Sequence, residues 1–548
     1  MYFKKRIITM TDILLIQPPV RDFYLTSKRT IPYGLTCIAS SAQKAGFSVE
    51  IFDGLATSKS HKLQIPEEMA YLNEYYGKED ISPFALFNSF KHFGYSFEHI
   101  GKQAAKTGAF LVGISSLFTP YAEYALMTAE AVKAYHPGCK IVFGGHHPTT
   151  LYNEVMKNTA VDFIIRGEGE ESLPLLAAAI KENKSPDSVP GIVYRKQDGN
   201  LYADNPALID DLDKQPLPAI SLLKHNFYKR GKMASAVVSA SRGCPMKCSY
   251  CSIGGLPYQK YRQRSVESVI KELDINISGH KAAFIDFEDE NLSLDKKWFT
   301  ALLCELKSRF AGSELELRAM NGLLPISLDE EMVCLMKESG FKTLNLSLGS
   351  SSSEQLKRFK RPDVRKAFDK ILLIAEKYNL KTVGYIIAGA PHQTPKDSVS
   401  DLLYLAERRV LAGVSIFYPS PGSADFEQCK NLAILPEKYS LMRSSAFPLS
   451  HTTGRKQAVT ILRLGRILNF MKSLIDSGYE IPEPGPFAEE EIKDGNRTET
   501  GIKLLKWFLF DGKIRGVNKE GGVYEHSICD KTAGLFTEKI NKAGLKGC

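Results

Sequence analysis

Short apolar runs without polar alternation recur along the first third of the chain, and a helical pattern joins each run to the next. The predicted strands are residues 12–17, 48–52, 110–115, 140–143 and 161–165. Strands of this kind are buried on both faces, as in a parallel sheet that is covered by helices. Residues 10–185 are therefore predicted to form a doubly wound, Rossmann-like α/β domain.

Ligands of such domains bind beyond the carboxyl ends of the strands. Three predicted loops lie there, at residues 115–117, 144–147 and 166–170. The paired glycines Gly144 and Gly145 allow a backbone to approach a ligand closely, although glycines after strands are equally common in simple turns. Both interpretations stay open on these residues alone.

A different pattern follows over residues 186–230, where an Asp198-Gly199 pair separates two short apolar runs and a proline-rich stretch comes after them. This pattern predicts a hairpin and a linker between domains. Strands and helices then alternate again over residues 231–430, with predicted strands at 236–239, 283–287, 314–318, 343–348, 382–387 and 413–418. Six such units predict a partial (β/α)6 barrel with its active site at the carboxyl ends of the strands.

Two local predictions concern helices. A helix is expected to start at Ser327 with a capping box to Glu330 and to stop at Gly340. Residues 431–548 are predicted to form a mainly helical region. One helix face there would carry Ile461, Leu464, Leu468, Met471 and Ile475, accompanied by a solvated basic stripe with Arg463 and Arg466.

The composition excludes several classes of protein. The net charge of +9 is spread over 548 residues without a basic arm, so no nucleic-acid partner is expected. No apolar run reaches the ~18 residues that a membrane span needs, and the first twelve residues lack the apolar core of a signal peptide. The ten cysteines form one tight cluster and no disulfide framework, which favours a cytoplasmic location with reduced thiols.

That cluster consists of Cys244, Cys248 and Cys251, which fall within eight residues. A structural zinc site needs four ligands, and no second cysteine or histidine pair lies nearby to complete one. A cubane iron-sulfur cluster held by three thiolates leaves one iron open to a substrate or cofactor. Zinc with a remote fourth ligand and three unliganded thiols remain as alternatives.

The segment from Cys244 to Cys251, with Tyr250 before the last cysteine, resembles the signature of the radical S-adenosylmethionine (SAM) superfamily. The resemblance implies that the open iron of a [4Fe-4S] cluster chelates the amino and carboxyl groups of SAM and that Tyr250 contacts the adenine. Asp289 and Glu290 resemble the motif that binds the methionine amino group.

Later segments are also similar to this superfamily. Residues 391–394 and 419–423 resemble its later barrel motifs, and Ser350 begins a segment, 350–357, that resembles the one after the fourth strand. Gly349 departs from the pattern, because many members have glutamate there. Arg318 ends the third strand and would either bind the methionine carboxylate or form an ordinary ion pair at the rim.

The first domain resembles the cobalamin-binding domain of one subclass, which contains the anaerobic magnesium-protoporphyrin ester cyclase and the cobalamin-dependent methyltransferases. Ser115 and Leu117 match its Ser-x-Leu motif, and Gly144 with Gly145 matches its Gly-Gly motif; both motifs enclose the nucleotide tail of cobalamin. The residues Gly167 and Glu168 belong to a segment, 166–170, that is typical of the subclass.

The usual Asp-x-His-x-x-Gly loop is absent, so the resemblance implies a cobalt atom without a protein imidazole. Both His146 and His147 fall in the loop that binds the tail, and neither is predicted to bind cobalt.

The resemblance implies three cofactors: a [4Fe-4S] cluster, SAM and cobalamin. The leading hypothesis is a methyltransferase that acts on an unactivated carbon or phosphorus centre through a 5'-deoxyadenosyl radical and methylcobalamin. A cyclase or rearrangement enzyme without methyl transfer is the first alternative, and a non-catalytic cobalamin-binding sensor is the second. Expected partners are a small-molecule or natural-product substrate and a reductase electron donor such as flavodoxin or ferredoxin.

Overall fold

The structure is a computed structural model that describes residues 11–24, 31–87, 89–255, 260–310, 312–447, 450–488, 492, 496–540 and 545. Most of the amino-terminal segment considered above as a signal peptide lies outside the described residues.

The strands are β1 (Ile13–Gln17), β2 (Val20–Asp22), β3 (Val49–Asp53), β4 (Ser60–Lys62), β5 (Lys91–Phe93), β6 (Leu111–Ser115), β7 (Lys140–Gly144), β8 (Phe163–Ile165), β9 (Ile192–Arg195), β10 (Leu201–Ala203), β11 (Lys229–Arg230), β12 (Met233–Val238), β13 (Ser241–Arg242), β14 (Arg262–Gln263), β15 (Ala282–Phe287), β16 (Glu316–Arg318), β17 (Thr343–Gly349), β18 (Lys381–Ala388), β19 (Leu411–Ile416), β20 (Arg515–Val517) and β21 (Val523–Glu525).

The α-helices are α1 (Tyr33–Lys44), α2 (Asn73–Tyr76), α3 (Phe97–Thr107), α4 (Ala122–Tyr135), α5 (His146–Thr150), α6 (Tyr152–Val155), α7 (Ser172–Lys181), α8 (Ser252–Gly255), α9 (Val266–Asp274), α10 (Lys296–Phe310), α11 (Glu330–Glu338), α12 (Ser353–Arg358), α13 (Arg365–Lys377), α14 (Pro395–Ala406), α15 (Ala424–Asn431), α16 (Arg455–Asp476), α17 (Arg497–Asp511) and α18 (Asp530–Ile540). A π-helix covers Ile275–Gly279, and the short 3-10 helices are Glu67–Leu72, Thr119–Tyr121, Leu212–Lys214, Ile220–Leu222, His225–Phe227, Pro325–Ser327, Tyr439–Leu441 and Ser444–Ala446.

The described residues divide into two compact units, and each unit is built from three separate segments of the chain. The first unit contains the residues up to Lys62 together with Lys91–Val238 and Arg262–Ala282. The second contains Leu63–Phe90, Ser239–Tyr261 and the described residues from Ala283 onward. The carboxy-terminal region that was predicted as a separate domain, 431–548, thus belongs to the same unit as the strands β15 to β19.

The first unit is built on a seven-stranded sheet in the order β10-β9-β8-β7-β6-β1-β3. The five strands from β3 to β8 in this order run parallel, as predicted for a doubly wound domain. The strand order reverses between β1 and β6, because β1 pairs with β3 on one side and with β6 on the other. The carboxyl end of this junction is where doubly wound sheets bind their ligands.

Alternate residues of the central strands enter two different cores, which explains the absence of polar alternation in the sequence. Leu14 and Ile16 pack on one face of the sheet, and Ile13 and Leu15 pack on the other. A strand with both faces covered in this way has no solvated side on which polar residues would be favoured.

The predicted hairpin around Asp198-Gly199 is present, but it extends the sheet beyond residue 185. Strands β9 and β10 pair antiparallel, and β9 also pairs antiparallel with β8. Ile192 and Val193 are fully buried in the two cores of the sheet, so the apolar residues of the hairpin complete those cores and do not form a free connection.

The second unit contains the parallel strands of the predicted barrel. β15 pairs with β16, and β17, β18 and β19 form a continuous parallel sheet. Single bridges from Leu317 to Phe341 and from Leu323 to Leu346 connect the β16 and β17 segments. The carboxyl ends of these strands therefore point the same way, as the barrel prediction requires. β12, the counterpart of the first predicted barrel strand, is grouped with the first unit.

The capping box predicted at Ser327 is wrong. Helix α11 starts only at Glu330, and the side chain of Asp329 caps it by accepting a hydrogen bond from the Met332 amide at 3.0 Å. Ser327 lies one turn earlier in a 3-10 helix and donates its hydroxyl to the Leu324 carbonyl at 2.7 Å. An aspartate carboxylate next to the first helical residue competes successfully with a more distant serine for the exposed amides.

The carboxy-terminal region is mainly helical, with one short hairpin formed by β20 and β21. The predicted apolar face of α16 is buried at Ile461, Leu464, Leu468 and Met471. No helix in the described part of the chain is long and apolar enough to cross a membrane.

The prediction of a solvated basic stripe on α16 is wrong for Arg463, which is only 2% exposed. Its guanidinium donates to the carbonyls of Phe84 and Tyr75, both at 3.2 Å. Burial lowers the pKa of Arg463 to about 10. Arg466, three residues further along the helix, is exposed as expected.

The carbonyls that Arg463 holds belong to a segment, 63–90, that leaves the first unit between β4 and β5. Its Tyr76 hydroxyl donates to the Ser445 carbonyl at 2.8 Å, and the Ile81 amide donates to the Val517 carbonyl at 2.9 Å. The segment is thus an integral part of the second unit, and Arg463 is one of its main anchors.

We expect Arg463→Ala to destabilise the second unit by about 3 kcal/mol or more, since it removes a donor from the buried Phe84 carbonyl and from the partly buried Tyr75 carbonyl and opens a cavity. Limited proteolysis should then cut within residues 63–90 faster than in the unchanged protein. The matched control is Lys456→Ala on the same helix, which removes an exposed basic side chain and should leave both thermal unfolding and proteolysis unchanged. Equal behaviour of the two variants would contradict this account of the anchor.

Candidate active site

The three predicted metal ligands share one loop of the second unit, between β13 and α8. Cys248 is buried, and Cys244 and Cys251 are partly buried. Burial raises the pKa of the Cys244 thiol, and the charges of Cys251 and Cys248 raise it further, so the three sulfurs lie close enough to interact. The loop starts with Gly243 at φ +79°, where an added Cβ would lie 2.2 Å from the Lys260 carbonyl oxygen.

No group of three or more histidine, cysteine or acidic side chains in the described part of the chain is arranged to hold a single metal ion. Thiolates that bind different irons of a cubane cluster do not have to converge on one point. The role of the three cysteines as cluster ligands stays a prediction.

Asp289 fixes the start of the cysteine loop. Its carboxylate accepts hydrogen bonds from the Ser241 hydroxyl at 2.5 Å and from the Ala240 amide at 3.2 Å. Burial raises the pKa of Asp289 to about 7. This carboxylate, which the resemblance assigned to the methionine amino group, is thus already engaged with the protein.

Glu290, the second member of the predicted pair, is exposed. Burial is the main cause that raises the pKa of Cys251, and the negative charge of Glu290 adds to that rise, which places the carboxylate near the thiol. Of the two acidic residues, Glu290 is therefore the one that stands beside the cysteines on the solvent side.

Asn291 is a site residue that the sequence did not indicate. Its side chain is 4% exposed and hydrogen bonds to Cys244. Its Oδ1 atom is buried and has no hydrogen-bond partner among the described residues. A buried amide oxygen without a partner next to a predicted cluster ligand is an open acceptor position, because such groups are rarely left unsatisfied.

Tyr250 is held by Arg361, which the sequence also did not indicate. The Arg361 guanidinium donates to the Tyr250 hydroxyl at 3.1 Å and to the Ser347 carbonyl at 2.5 Å. An added Cβ at Gly349 would lie 3.3 Å from the Cδ atom of Arg361. The arginine lies against the position that a side chain at 349 would take, and Gly349 itself has φ +84°, a conformation that favours glycine.

Arg318, Asn345 and Tyr385 form a polar cluster on three neighbouring strands, β16, β17 and β18. The Asn345 side-chain amide donates to the Tyr385 hydroxyl at 2.8 Å, and Arg318 hydrogen bonds to the same hydroxyl. Two buried atoms of the cluster, Nε of Arg318 and Oδ1 of Asn345, have no partner among the described residues. The cluster can therefore supply both a charged donor and an acceptor to a bound polar group.

The ring of Tyr385 packs against two glycines, Gly413 and Gly322. An added Cβ at Gly413 would lie 2.3 Å from Cδ1 of Tyr385, and one at Gly322 would lie 3.4 Å from Cδ2. Any side chain at Gly413 would therefore displace the ring.

Ser350 has a structural partner. Its hydroxyl donates to the Asp401 carboxylate at 3.0 Å, and the Ser351 amide and the Gln393 side chain donate to the same carboxylate at 2.6 and 3.0 Å. Burial raises the pKa of Asp401 to about 6. The predicted cofactor contact of Ser350 stays a prediction. Independently of a cofactor, its hydroxyl stabilises the buried Asp401 carboxylate.

In the first unit, the residues predicted to enclose cobalamin lie together at the carboxyl edge of the sheet. Ser115 ends β6 and Gly144 ends β7, and these two residues are neighbours in the strand register. Leu117 is 53% exposed just beyond β6. An exposed leucine at this edge suits an apolar ligand surface, although single exposed apolar residues are also common in any protein.

The two glycines of this edge differ in their surroundings. Gly145 has φ +113°, and an added Cβ would lie 2.8 Å from the Ser116 carbonyl oxygen. An added Cβ at Gly144 would meet nothing within 4 Å. Gly145 is thus needed for the backbone itself, whereas the open space at Gly144 fits a bound group that approaches the backbone closely.

His147 follows these glycines and is 2% exposed. Its Nδ1 atom lies 3.3 Å from the Thr119 hydroxyl, and burial lowers the pKa of the ring to about 4. A neutral imidazole is also the form that binds metals, so the expectation that His147 does not bind cobalt stays a prediction.

Gly167 and Glu168 serve the fold of the first unit. An added Cβ at Gly167 would lie 2.2 Å from the Ala207 carbonyl oxygen. The Glu168 carboxylate accepts two hydrogen bonds from Arg262, at 2.8 and 2.9 Å, and one from the Ile209 amide at 2.7 Å. The segment 166–170 thus stabilises the fold of the first unit through these contacts, and its predicted cofactor contacts stay predictions.

Comparison with known protein families identifies the domains in which these residues lie. The B12 binding domain family matches residues 87–177, and the radical SAM superfamily matches residues 238–403, which include all three cysteines. The chain is a radical SAM enzyme with a B12-binding domain. The two domains account for cobalamin and SAM as cofactors, and the family accounts for the iron-sulfur cluster.

The enzyme is similar to several curated proteins. It is 27% identical over 424 residues to an uncharacterized methyltransferase of Pyrococcus horikoshii, covering 76% of this chain and 82% of that protein. It is 24% identical to the cytidylyl-2-hydroxyethylphosphonate methyltransferase of Streptomyces wedmorensis, covering 79% and 84%. It is 30% identical to the anaerobic magnesium-protoporphyrin IX monomethyl ester cyclase of Rubrivivax gelatinosus, covering 45% and 44%.

Solved structures confirm the fold class. The radical SAM methyltransferase TsrM of Kitasatospora setae, with cobalamin and a [4Fe-4S] cluster bound, superposes with a TM-score of 0.55 at 16% identity over 78% of this chain and 76% of TsrM. The cobalamin-dependent radical enzyme OxsB superposes with a TM-score of 0.55 at 14% identity over 97% of this chain and 66% of OxsB.

We expect the two glycines of the first unit to respond differently to alanine. Gly145→Ala should destabilise the unit by about 2 kcal/mol or more, because it combines a positive φ with a close backbone contact. Gly144→Ala should leave thermal unfolding unchanged and weaken cobalamin binding, measured by titration of the apoprotein. A Gly144→Ala protein that binds cobalamin normally would contradict a ligand position at this glycine.

We also expect substitutions of the two acidic residues Asp289 and Glu290 to have different effects. Asp289→Ala removes the acceptor that fixes the cysteine loop, so the reconstituted protein should hold less than half the normal iron and sulfide; the loss of a charged hydrogen bond is worth about 1.5–3 kcal/mol. Glu290→Gln should keep the full iron content and affect only SAM binding. The two variants are compared by iron analysis and by the absorbance of the cluster, and equal iron content would refute the anchoring role of Asp289.

Proposed function

We propose that this radical SAM enzyme is a methyltransferase that acts on an unactivated carbon or phosphorus centre of a small molecule. The observation that carries the proposal is the loop with Cys244, Cys248 and Cys251, which offers three neighbouring thiols, on a chain that also carries a B12-binding domain. Three thiolates leave one iron of a [4Fe-4S] cluster open for SAM, and cobalamin supplies a carrier for a methyl group.

The extent of the similarities favours methyl transfer over cyclisation. The methyltransferases of P. horikoshii and S. wedmorensis align with 76% and 79% of this chain. The cyclases of R. gelatinosus and Cereibacter sphaeroides align with 45% and 62% of it. These two methyltransferases thus align with a larger share of the chain than either cyclase, which supports methyl transfer.

The residues of the second unit would divide the work as follows. The three cysteines hold the cluster, and Asp289 with Asn291 fixes the loop on which they stand. Tyr250 offers an aromatic ring to the adenine and is oriented by Arg361. Glu290, whose charge acts on Cys251, would accept the methionine ammonium group. When bound, the cluster and SAM supply a 5'-deoxyadenosyl radical, and the protein contributes by orienting and shielding the reactants.

The polar cluster on β16 to β18 supports a substrate or SAM contact inside the barrel. Arg318 would bind a carboxylate or another anionic oxygen through its Nε atom, and Asn345 would accept a hydrogen bond through Oδ1. Leaving both atoms without partners in the bound state would cost about 1–3 kcal/mol each, so a ligand that satisfies both is favoured over an apolar one.

At the carboxyl edge of the first unit, Ser115, Leu117, Gly144 and Gly145 would enclose the nucleotide tail of cobalamin. The open space at Gly144 is the feature that supports this assignment. The absence of the Asp-x-His-x-x-Gly loop supports a cobalt atom that has no histidine of this chain as its ligand.

The alternatives differ in measurable products. With methyl-labelled SAM under anaerobic reducing conditions, a methyltransferase should yield labelled substrate together with 5'-deoxyadenosine. A cyclase or rearrangement enzyme should yield 5'-deoxyadenosine and an unlabelled product. A protein that binds cobalamin and never forms 5'-deoxyadenosine would support the sensor and refute the enzyme.

We expect replacement of any one of the three loop cysteines by alanine to abolish 5'-deoxyadenosine formation, a loss of about 1000-fold or more, because the cluster loses a ligand. Cobalamin binding should stay within about twofold, since the ligands of the two cofactors lie in different domains. Cys304→Ala is the matched control, because Cys304 is an exposed cysteine of α10 outside the loop. A loop variant that still cleaves SAM at the normal rate would overturn the cluster assignment.

A further inference from the structure

Five exposed basic side chains lie on the cysteine loop or on segments that are hydrogen bonded to it. We call this set the basic patch; its members are Lys247, Lys357, Arg358, Lys360 and Lys430. Lys247 belongs to the loop itself. The Ser249 amide donates to the Phe359 carbonyl at 2.9 Å, which brings the end of α12 and residue 360 to the loop.

A second connection brings α15 to the same place. The Asp425 amide donates to the Ser249 carbonyl at 2.9 Å, and the Ser249 hydroxyl donates to the Asp425 carboxylate at 3.1 Å. Burial raises the pKa of Asp425, and the positive charges of His392 and Lys360 oppose that rise. Lys430 lies on this helix, next to Cys429, which packs in one cluster with Phe359 and Tyr250.

The patch keeps a net positive charge. Arg358 pairs with Glu354 at 3.5 Å, and Glu427 on α15 is exposed. On α12 and α15 these two exposed acidic side chains face three basic ones, and Lys247 and Lys360 add two more basic side chains. The exposed Glu290 beside the cysteines is the third acidic group. No ion pair of Lys247, Lys357, Lys360 or Lys430 occurs among the described residues.

We propose that the basic patch is the docking surface for an acidic one-electron donor protein of the flavodoxin or ferredoxin class. The inference rests on the proposed function, because the donor serves the cluster held by the cysteine loop. An electron donor has to approach the cluster closely, and the patch lies on the backbone segments bonded to that loop. Positive charge beside the cluster steers an acidic partner to this position and raises its association rate.

The step itself is a simple electron transfer. The reduced donor loses one electron, the oxidised cluster gains one, and no bond forms or breaks. Dithionite delivers the same electron without a protein interface, so it separates docking from all later chemistry.

The test compares two double variants in the full-length, reconstituted enzyme. Lys357→Glu/Lys360→Glu reverses two charges of the patch. The control Lys337→Glu/Lys381→Glu reverses the charges of two exposed lysines at the opposite end of the strands. Lys337 lies near the end of α11, shortly before β17 starts, and Lys381 is the first residue of β18. The measured quantity is the bimolecular rate at which reduced flavodoxin bleaches the cluster absorbance, determined by stopped flow at several salt concentrations.

We expect the patch variant to react with flavodoxin about tenfold more slowly or worse at low salt, and to lose most of the salt dependence. The control variant should match the unchanged enzyme, and dithionite should reduce all three proteins at one rate. A milder pair, Lys357→Gln/Lys360→Gln, should give an intermediate rate, and it replaces the charge reversal if that variant fails to fold.

Equal flavodoxin rates for patch and control variants would overturn the proposal. So would binding of a nucleic acid that requires the patch while the flavodoxin rates stay unchanged. Because the readout is reduction of the cluster, it does not depend on methyl transfer. An enzyme that is reduced normally but forms no 5'-deoxyadenosine contradicts the proposed function and leaves the docking result valid.

Discussion

The hydrogen bonds that the buried Asp289 carboxylate accepts from Ala240 and Ser241 are the interaction on which the site of the second unit depends. Burying a carboxylate away from water costs several kcal/mol of free energy unless about two or more hydrogen-bond donors surround it. Here the donors come from the residues that lead into the cysteine loop. The same hydrogen bonds therefore stabilise the buried Asp289 and fix the start of the loop that carries the three thiols. This gives the acidic residues after the second barrel strand a structural role beside the cysteines.

The fold could be predicted in detail because its signals are periodic and local. Uninterrupted apolar strands separated by helices define a covered parallel sheet, and the predicted strands 48–52, 110–115, 140–143 and 161–165 overlap β3, β6, β7 and β8. The errors concern residues whose environment is decided by distant segments. Arg463 looks like a surface arginine on its own helix, and only the return of residues 63–90, nearly 380 positions earlier at Phe84, buries it.

The site was predictable to a different degree. The cysteines were identified from spacing because ligand chemistry restricts spacing strongly. Roles assigned by motif were less informative, since Ser350 and Glu168 each have a charged protein partner that the sequence does not reveal. Asn291, Asn345 and Arg361 were missed because a single polar residue in a strand or loop carries no periodic signal. A buried polar atom without a partner is visible only in three dimensions.

Gly349 and Arg361 show how a departure from a family pattern can be compensated within one chain. A glutamate at position 349 would bring a negative charge to the end of β17, whereas Arg361 brings a positive one to the same space. The guanidinium ties the Tyr250 hydroxyl of the cysteine loop to the Ser347 carbonyl of the strand. An arginine in this position can orient the aromatic ring and at the same time favour an anionic group nearby, because its planar fork offers several donors in fixed directions. With Gly349 and Arg361, this strand end therefore carries a positive charge, and the same arginine connects the strand to the cysteine loop.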